Sequence, residues 1–195
     1  MFYNLARVVM RLVLLILRRW RVLGLNNLPR QGGVVVVSNH TSYWDPVAVG
    51  CALNRPIHYM AKSELFNNLL FATLIRGLKA FPVERGKSDR NAIRYAVNLL
   101  MTGQMIGVFP EGTRSTSGEL QRAHLGAAML AFKANVPIVP VAIVGAKGVL
   151  GKLSVIIGSP IPLPEYEGSR PSREQLENYS QQVMNQLSQL ISTAR

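Results

Sequence analysis

Short apolar runs rich in β-branched residues alternate along the chain with longer segments of helical periodicity. The runs predict strands at residues 33–38, 57–61, 80–83, 105–109, 138–144 and 153–157. The periodic segments predict helices at residues 46–53, 65–76, 89–102, 123–135 and 173–193, the last after a loop at residues 158–171. Several of the strands are apolar throughout, which is typical of a sheet that is covered on both faces. The alternation therefore predicts an α/β fold, a single domain with a mostly buried mixed sheet flanked by helices.

The first segment, residues 1–22, has the pattern of an amphipathic helix. One stripe of its helical wheel comprises Phe2, Leu5, Val9, Val13, Ile16 and Trp20, and the opposite stripe comprises Arg7, Arg11, Arg18 and Arg21. Its longest apolar run, residues 12–17, is too short for a membrane span, which needs about 20 apolar residues. We expect an anchoring helix that lies in the plane of the lipid headgroups with its arginines at the phosphates. The alternative is a helix that packs on the protein's own core and leaves its basic face in water.

The composition fits a membrane surface better than a nucleic acid. The 195 residues carry a formal charge of +12, yet only 16% of them are charged, and no acidic residue precedes Asp45. A nucleic-acid-binding protein usually has dense Lys/Arg clusters, whereas a hydrophobic chain that is short of acids suits an anionic membrane surface. The length and the 48% hydrophobic content predict one folded domain over residues 25–195 after the anchoring helix. The single cysteine, Cys51, excludes an intrachain disulfide and a cysteine-rich zinc site.

The strongest candidate chemistry follows the strand predicted at residues 33–38. His40 comes just after the carboxyl end of this strand, which is where open α/β sheets bind ligands, and Asp45 comes five residues later. We interpret the pair as a dyad in which the carboxylate orients the imidazole and the other ring nitrogen takes a proton from a hydroxyl. The alternative is that Asp45 caps the helix beginning at Pro46 and that His40 is an ordinary loop residue. The sequence contains no nucleotide-binding glycine motif after a strand, so nucleotide binding has no support.

Four motifs, taken together, extend this interpretation. They are His40-x4-Asp45, FPVERG at residues 81–86, FPEGTRS at residues 109–115 and VPIVP at residues 136–140. In this order and spacing they resemble the 1-acylglycerol-3-phosphate acyltransferase family of glycerolipid acyltransferases, over residues 25–164. The H-x4-D motif alone is weak evidence, but its combination with FPEGTRS is highly specific.

The resemblance implies an enzyme that passes a fatty acyl group from an acyl thioester, either acyl-CoA or acyl carrier protein, to the free hydroxyl of 1-acylglycerol-3-phosphate. It assigns His40 as the general base and Asp45 as its orienting partner. The substrate-binding residues that it implies are Lys62, Arg85, Glu111, Gly112, Thr113 and Arg114. Arg85 and Arg114 would bind the phosphate, with the alternative that Arg114 braces its loop by pairing with a carboxylate. Glu111 would either contact an acceptor hydroxyl or hold the arginines. The resemblance implies no cofactor or metal besides the acyl co-substrate, no nucleic-acid partner, and a location at the cytoplasmic face of a membrane.

Two alternatives stay open at this point. One is an enzyme of the same family acting on another acceptor, such as glycerol-3-phosphate, another lysophospholipid or a lyso-aminolipid. The other, more distant, is a non-enzymatic basic protein that binds membrane or nucleic acid. The chain also departs from the family pattern, because His124 stands near Gly126 where a lysine is frequent, and Glu84 stands where an aspartate is frequent before Arg85. We interpret Cys51 as a buried side chain and not as a nucleophile.

Overall fold

One mixed sheet organises the chain in the computed structural model, which describes residues 1–84, 89–166 and 170–193. The strands of the described residues are β1 (Arg21–Leu23), β2 (Val34–Ser38), β3 (Ile57–Lys62), β4 (Ala80–Val83), β5 (Met105–Val108), β6 (Ile138–Val144) and β7 (Ser154–Ile157). The helices are α1 (Phe2–Arg18), α2 (Asp45–Ala52), α3 (Leu69–Gly77), α4 (Arg90–Met101), α5 (Gly126–Ala134) and α6 (Arg173–Thr193). Short 3-10 turns occupy Leu25–Asn27 and Ser63–Phe66.

The strand order is β1-β7-β6-β2-β5-β3-β4. The strands from β6 to β4 in this order run parallel, and β7 returns antiparallel to β6 with β1 parallel to β7. The carboxyl ends of β2, β3, β5 and β6 therefore meet at one edge of the sheet. This is the edge at which α/β proteins bind their ligands.

Both faces of the sheet are buried, as the apolar strands predict. Val35 and Val37 of β2 pack in one core with α4, α5 and α6. Val34 and Val36 of the same strand pack in a second core with α1 and α2. Successive side chains of a strand point to opposite faces, so a strand buried on both sides must be apolar at every position.

The helix predicted over residues 1–22 extends past the observed carboxyl end of α1. The helix α1 ends at Arg18, Arg19 adopts a left-handed conformation with φ +39°, and Arg21–Leu23 form β1 at the edge of the sheet. The N–H of Leu153 donates to the Arg18 carbonyl at 3.0 Å and the N–H of Arg21 donates to the Leu153 carbonyl at 2.9 Å. Pairing with the chain around β7 thus overrides the local helical pattern.

The arginines of α1 also do not point where we expect. Arg11 donates from Nε to the Cys51 carbonyl at 2.8 Å and from Nη2 to the Leu53 carbonyl at 3.1 Å, and Arg7 reaches the Leu53 carbonyl at 3.3 Å. Arg18 is buried and its guanidinium donates to the carbonyls of the loop after β6. The arginine stripe therefore faces the protein, and neither a lipid-facing nor a solvated basic stripe is correct for these three residues.

Several element starts are set by side-chain caps. The helix predicted over residues 65–76 begins only at Leu69, because the Asn68 side chain accepts the N–H of Phe71 at 3.0 Å. Asp89 caps α4 in the same way through the N–H of Ala92. Such caps satisfy amide groups that have no partner inside the helix.

Candidate active site

His40 and Asp45 meet at the carboxyl edge of the sheet. The side chain of Asn39 exchanges two hydrogen bonds of 2.8 Å with the backbone of Ile143, so the end of β2 is fixed against β6 just before His40. Five residues on, Asp45 is the first residue of α2 and is completely buried. His40 Nδ1 lies 2.9 Å from Asp45 Oδ2. The structure therefore contains the contact that the dyad interpretation requires.

The Asp45 carboxylate holds the loop that carries His40. Its Oδ2 accepts the backbone N–H groups of Thr41 and Ser42 at 2.6 and 2.7 Å in addition to the imidazole. It makes no capping hydrogen bond to α2, so the helix-cap alternative does not describe it. A carboxylate at Nδ1 keeps the proton on that nitrogen and leaves Nε2 as the proton acceptor. This arrangement is what a general base requires.

Aromatic stacking fixes the plane of the His40 ring. The ring stacks on Phe109 with 4.1 Å between centroids and 20° between planes. Phe109 stacks in turn on Tyr59 at 5.8 Å and 7°. The Tyr59 ring occupies the space over Gly107, where a Cβ atom would lie 2.2 Å from it. Burial raises the pKa of Tyr59 well above its ordinary value, and nearby Tyr3 and Asp45 act in the same direction.

Glu111 secures the backbone of His40 from the neighbouring loop. It is 3% exposed, and its Oε1 accepts the backbone N–H of His40 at 3.0 Å. Its Oε2 accepts the N–H of Gln121, also at 3.0 Å. The His40 carbonyl accepts the N–H of Ser115 at 2.7 Å, which closes the connection between the two loops. Glu111 thus contacts main-chain amides, an arrangement that the sequence did not suggest.

The basic candidates that the structure describes lie around the same site. Arg114 places its guanidinium 3.6 Å from the centroid of the Tyr43 ring. Lys62 is at the end of β3 and its Nζ lies 3.0 Å from Glu64 Oε1, with both side chains about half exposed. Such an exposed ion pair is weak, so Lys62 is available to another anion. Arg85 lies outside the described residues.

These groups line one side of a cavity of about 540 Å³, and the rest of its lining is largely apolar. Its polar and glycine lining includes His40, Lys62, Gly112, Thr113 and Arg114. Its apolar lining comes from α1, α2, β3, α3 and the turns beside them, with Ala6, Met10, Val47, Ile57, Leu65, Ile75 and Leu78. The cavity therefore offers an apolar space beside His40, Lys62 and Arg114.

Gly112 and His124 lie against each other at this site. Gly112 has φ +69°, and a Cβ atom there would lie 3.1 Å from the His124 ring. A side chain at residue 112 would meet both backbone strain and this ring.

The third histidine, His58, is buried on β3, and burial and Lys79 lower its pKa. Within the described residues, no cluster of His, Cys, Asp and Glu is suited to hold a metal ion.

Tyr43, Tyr59 and Phe109 are site residues that the sequence did not single out. Phe109 stands in the FPEGTRS motif, so its position was a signal, but its stacking on His40 depends on how β5 lies beside β2. Tyr43 lies in the loop between His40 and Asp45. Nothing in the spacing indicates that its ring receives Arg114.

The sheet, the imidazole–carboxylate pair at its carboxyl edge and the apolar cavity are together typical of an α/β enzyme that acts on an acyl chain. Comparison with known proteins agrees, since residues 19–144 match the model of the Acyltransferase family. The chain belongs to this family, and the predicted resemblance, the α/β fold and the acyltransferase class are confirmed.

Named relatives place it more narrowly. The chain is 32% identical over 177 residues to the 1-acyl-sn-glycerol-3-phosphate acyltransferase of Bacillus subtilis (strain 168), covering 87% of each chain. It is 29% identical to the enzyme of the same name from Streptococcus pneumoniae (strain ATCC BAA-255 / R6), covering 97% of this chain and 73% of the other. The crystal structure of the 1-acyl-sn-glycerophosphate (LPA) acyltransferase from Thermotoga maritima superposes with a TM-score of 0.72 and 26% identity, covering 97% of this chain and 79% of the other.

Proposed function

We propose that the protein transfers a fatty acyl group from acyl-CoA or acyl carrier protein to the free hydroxyl of 1-acylglycerol-3-phosphate and forms phosphatidate. The observation that carries the proposal is the contact of 2.9 Å between His40 Nδ1 and Asp45 Oδ2 at a cavity that Lys62 and Arg114 also line. The names of the similar enzymes from B. subtilis and S. pneumoniae support the same acceptor.

In this proposal His40 Nε2 takes the proton of the acceptor hydroxyl as its oxygen forms a bond to the thioester carbon. Asp45 stabilises the imidazolium that results. The tetrahedral oxyanion then collapses, the C–S bond breaks, and the proton passes from His40 to the departing thiolate. A thioester is already activated, so the reaction requires no covalent enzyme intermediate.

The lone thiol is unsuited to act as a nucleophile in this reaction. Cys51 is buried in the core shared by α1 and α2, and burial raises its pKa to about 11. Its Sγ donates to the Arg7 carbonyl at 3.8 Å. A thiolate is therefore scarce at neutral pH.

The basic residues provide for the acceptor's phosphate. Arg114 offers a planar guanidinium that suits bidentate contact with phosphate oxygens. Lys62 adds a second cation once it leaves Glu64. We keep Arg85 as a third phosphate ligand on the family motif alone, since it lies outside the described residues.

The proposed acceptor lies in a bilayer leaflet, and α1 has the surface to meet it. The large apolar side chains that α1 leaves exposed are Phe2, Leu5, Val8, Val9, Leu12, Leu15 and Ile16, which we call the α1 face. Leu69 and Leu70 of α3 are also exposed. Apolar patches of this kind mark contacts with membranes or other proteins. We propose that the α1 face lies in the cytoplasmic leaflet, where soluble acyl thioesters can reach the site. Among the described helices, none has the length and apolar character to cross a bilayer.

The test is a matrix of donors and acceptors with purified protein. We expect thiol release from acyl thioesters in the presence of 1-acylglycerol-3-phosphate, with phosphatidate identified by lipid mass spectrometry. His40→Ala should lower kcat by about 10²–10⁴-fold, the usual contribution of a general base. His58→Gln serves as the control, because His58 does not line the cavity. Full activity of folded His40→Ala would refute the dyad, and a preference for another acceptor would refute the assignment of 1-acylglycerol-3-phosphate.

A further inference from the structure

The loop that joins β6 to β7, residues 145–153, exposes two large apolar side chains at its tip. Val149 is 58% exposed and Leu150 is 71% exposed. Lys147 and Lys152 flank this tip and are exposed as well. The pattern is two apolar residues between two cations on a glycine-rich hairpin. None of this is used by the proposed reaction.

The base of the loop is held firmly, so the exposure of its tip is not the result of an unattached segment. The buried Arg18 guanidinium donates to the carbonyls of Gly145 and Gly148. Ala146 is buried, and the N–H of Leu153 donates to the Arg18 carbonyl at 3.0 Å. A buried arginine thus stabilises a loop whose two largest apolar side chains are exposed. Water is an unfavourable environment for such a tip.

The loop lies at the carboxyl edge of the sheet, near residues that line the cavity. It follows the carboxyl end of β6, and His40 follows the carboxyl end of the adjacent β2. Lys147 Nζ donates to the Thr116 carbonyl at 2.7 Å, two residues beyond Arg114, which lines the cavity. The last turn of α1 carries the exposed Leu15 and Ile16 next to Arg18. Because Arg18 donates to the loop, the loop lies at the carboxyl end of α1.

We propose that the β6–β7 loop is a second membrane contact, which inserts Val149 and Leu150 into an anionic leaflet and places Lys147 and Lys152 at the level of the lipid phosphates. Apolar residues bordered by cations are the chemistry that binds the interface of an anionic bilayer. Two contacts, one at α1 and one at the loop, fix the orientation of the protein and hold the cavity mouth against the leaflet. The inference rests on the proposed function, because only a substrate in the leaflet makes this orientation useful.

The first test removes the apolar tip with the double substitution Val149→Ser and Leu150→Ser. Binding to vesicles of phosphatidylcholine with about a third phosphatidylglycerol should weaken by about tenfold, measured by co-sedimentation. The kcat/KM for a long-chain acceptor in these vesicles should fall by a similar factor, and the kcat/KM for a short-chain, water-soluble acceptor should stay unchanged. Met101→Ser is the matched control, since Met101 is 70% exposed at the end of α4, on the other face and at the opposite edge of the sheet.

The second test measures insertion directly. Leu150→Trp and Met101→Trp are compared with the wild-type protein on vesicles whose lipids carry bromine in mid-chain. We expect added fluorescence quenching for Leu150→Trp only. Equal quenching in both variants, unchanged vesicle binding of the double variant, or loss of a dimer in that variant without loss of vesicle binding would each overturn the inference. Absence of wild-type activity on both the long-chain and the water-soluble acceptor would instead overturn the proposed function.

Discussion

The role of Glu111 as a positioning residue for His40 can be tested by removing one or both of its acceptor oxygens. Each carboxylate oxygen accepts one main-chain N–H at 3.0 Å, from His40 and from Gln121. Hydrogen bonds to a charged group contribute about 1.5–3 kcal/mol each. Glu111→Ala should therefore lower the free energy of unfolding by about 3–6 kcal/mol, a large part of the margin of about 5–15 kcal/mol of a typical domain. Glu111→Gln keeps one acceptor and turns an amide toward the other N–H, so it should lose about half as much.

The catalytic effect of Glu111→Gln follows from geometry. If the main chain of His40 shifts by as little as 1 Å, the reaction slows by roughly 10²-fold. We expect kcat to fall by about 10–100-fold while the KM for the acceptor stays within about twofold. The reason is that both Glu111 oxygens accept main-chain N–H groups and that Glu111 is not among the residues lining the cavity. Steady-state kinetics and urea unfolding measure the two effects on the same preparation. The exposed Glu119 of the same loop supplies the control, Glu119→Gln.

The opposite kinetic pattern would refute this reasoning. If Glu111→Gln raises the acceptor KM and leaves kcat unchanged, the carboxylate binds the acceptor hydroxyl, as one interpretation of the sequence had it. If both kinetic constants and the unfolding free energy are unchanged, the two hydrogen bonds contribute nothing to the position of the His40 loop.

Two further predictions concern buried polar groups away from the reacting atoms. Arg18→Met should lower the free energy of unfolding by about 3 kcal/mol, because methionine fills most of the space but leaves the Gly145 and Gly148 carbonyls without the guanidinium. Urea unfolding measures this loss, and Arg19→Met is the exposed control. A loss below about 0.5 kcal/mol would contradict the prediction. Burial raises the pKa of Tyr179 to about 12, so the folded state binds the phenol proton more tightly than the unfolded chain, whose tyrosine pKa is about 10. The contribution of Tyr179 to the free energy of unfolding should therefore be fully present below pH 10 and should fall by about 2–3 kcal/mol as the pH rises to 12. Tyr179→Phe should remove this part of the decline. An identical decline in the variant would show that Tyr179 does not cause it.

Strands such as β2 and β6 were predictable because they are apolar runs rich in β-branched residues that need no partner to be recognised. In contrast, β1 is only the three residues Arg21–Leu23, and it exists because β7 offers an edge in parallel register. A periodicity analysis continues α1 through this segment, since nothing local distinguishes an arginine in a helix from one in an edge strand. The helix prediction therefore fails at the segment whose conformation depends on pairing with the distant strand β7.

The same distinction between local and distant contacts applies to the site. His40 and Asp45 are only five residues apart, so their contact is local and the sequence already offers it as one of two interpretations. The partners of Glu111 are main-chain amides that lie 71 and 10 residues away from it, and main-chain amides carry no signature in a sequence. Arg114 and Lys62 line the cavity, and their contact with the phosphate of the acceptor stays a prediction. The phosphate contact of Arg85 stays a prediction.

The orientation of α1 shows why a helical wheel does not decide which stripe faces the protein. The last carbonyls of any helix lack intrahelical partners and carry the negative end of the helix dipole. At the end of α2 the carbonyls of Cys51 and Leu53 are satisfied by Arg7 and Arg11 of α1. Cationic caps of this kind are favourable at a helix carboxyl terminus, so the arginine stripe is the side that docks.

The apolar stripe must then face outward, and the net charge of +12 acquires a different meaning. Part of the excess of cations in the first residues satisfies backbone carbonyls of α2 and of the β6–β7 loop inside the protein. The positive charge that remains available to lipid includes the exposed lysines of that loop, and the charge available to substrate lies at Lys62 and Arg114. On our proposals, attraction to the membrane therefore comes chiefly from apolar side chains on α1 and at Val149 and Leu150, while the cations near the carboxyl edge of the sheet set the orientation. High salt should accordingly weaken vesicle binding less than the loss of these apolar side chains does.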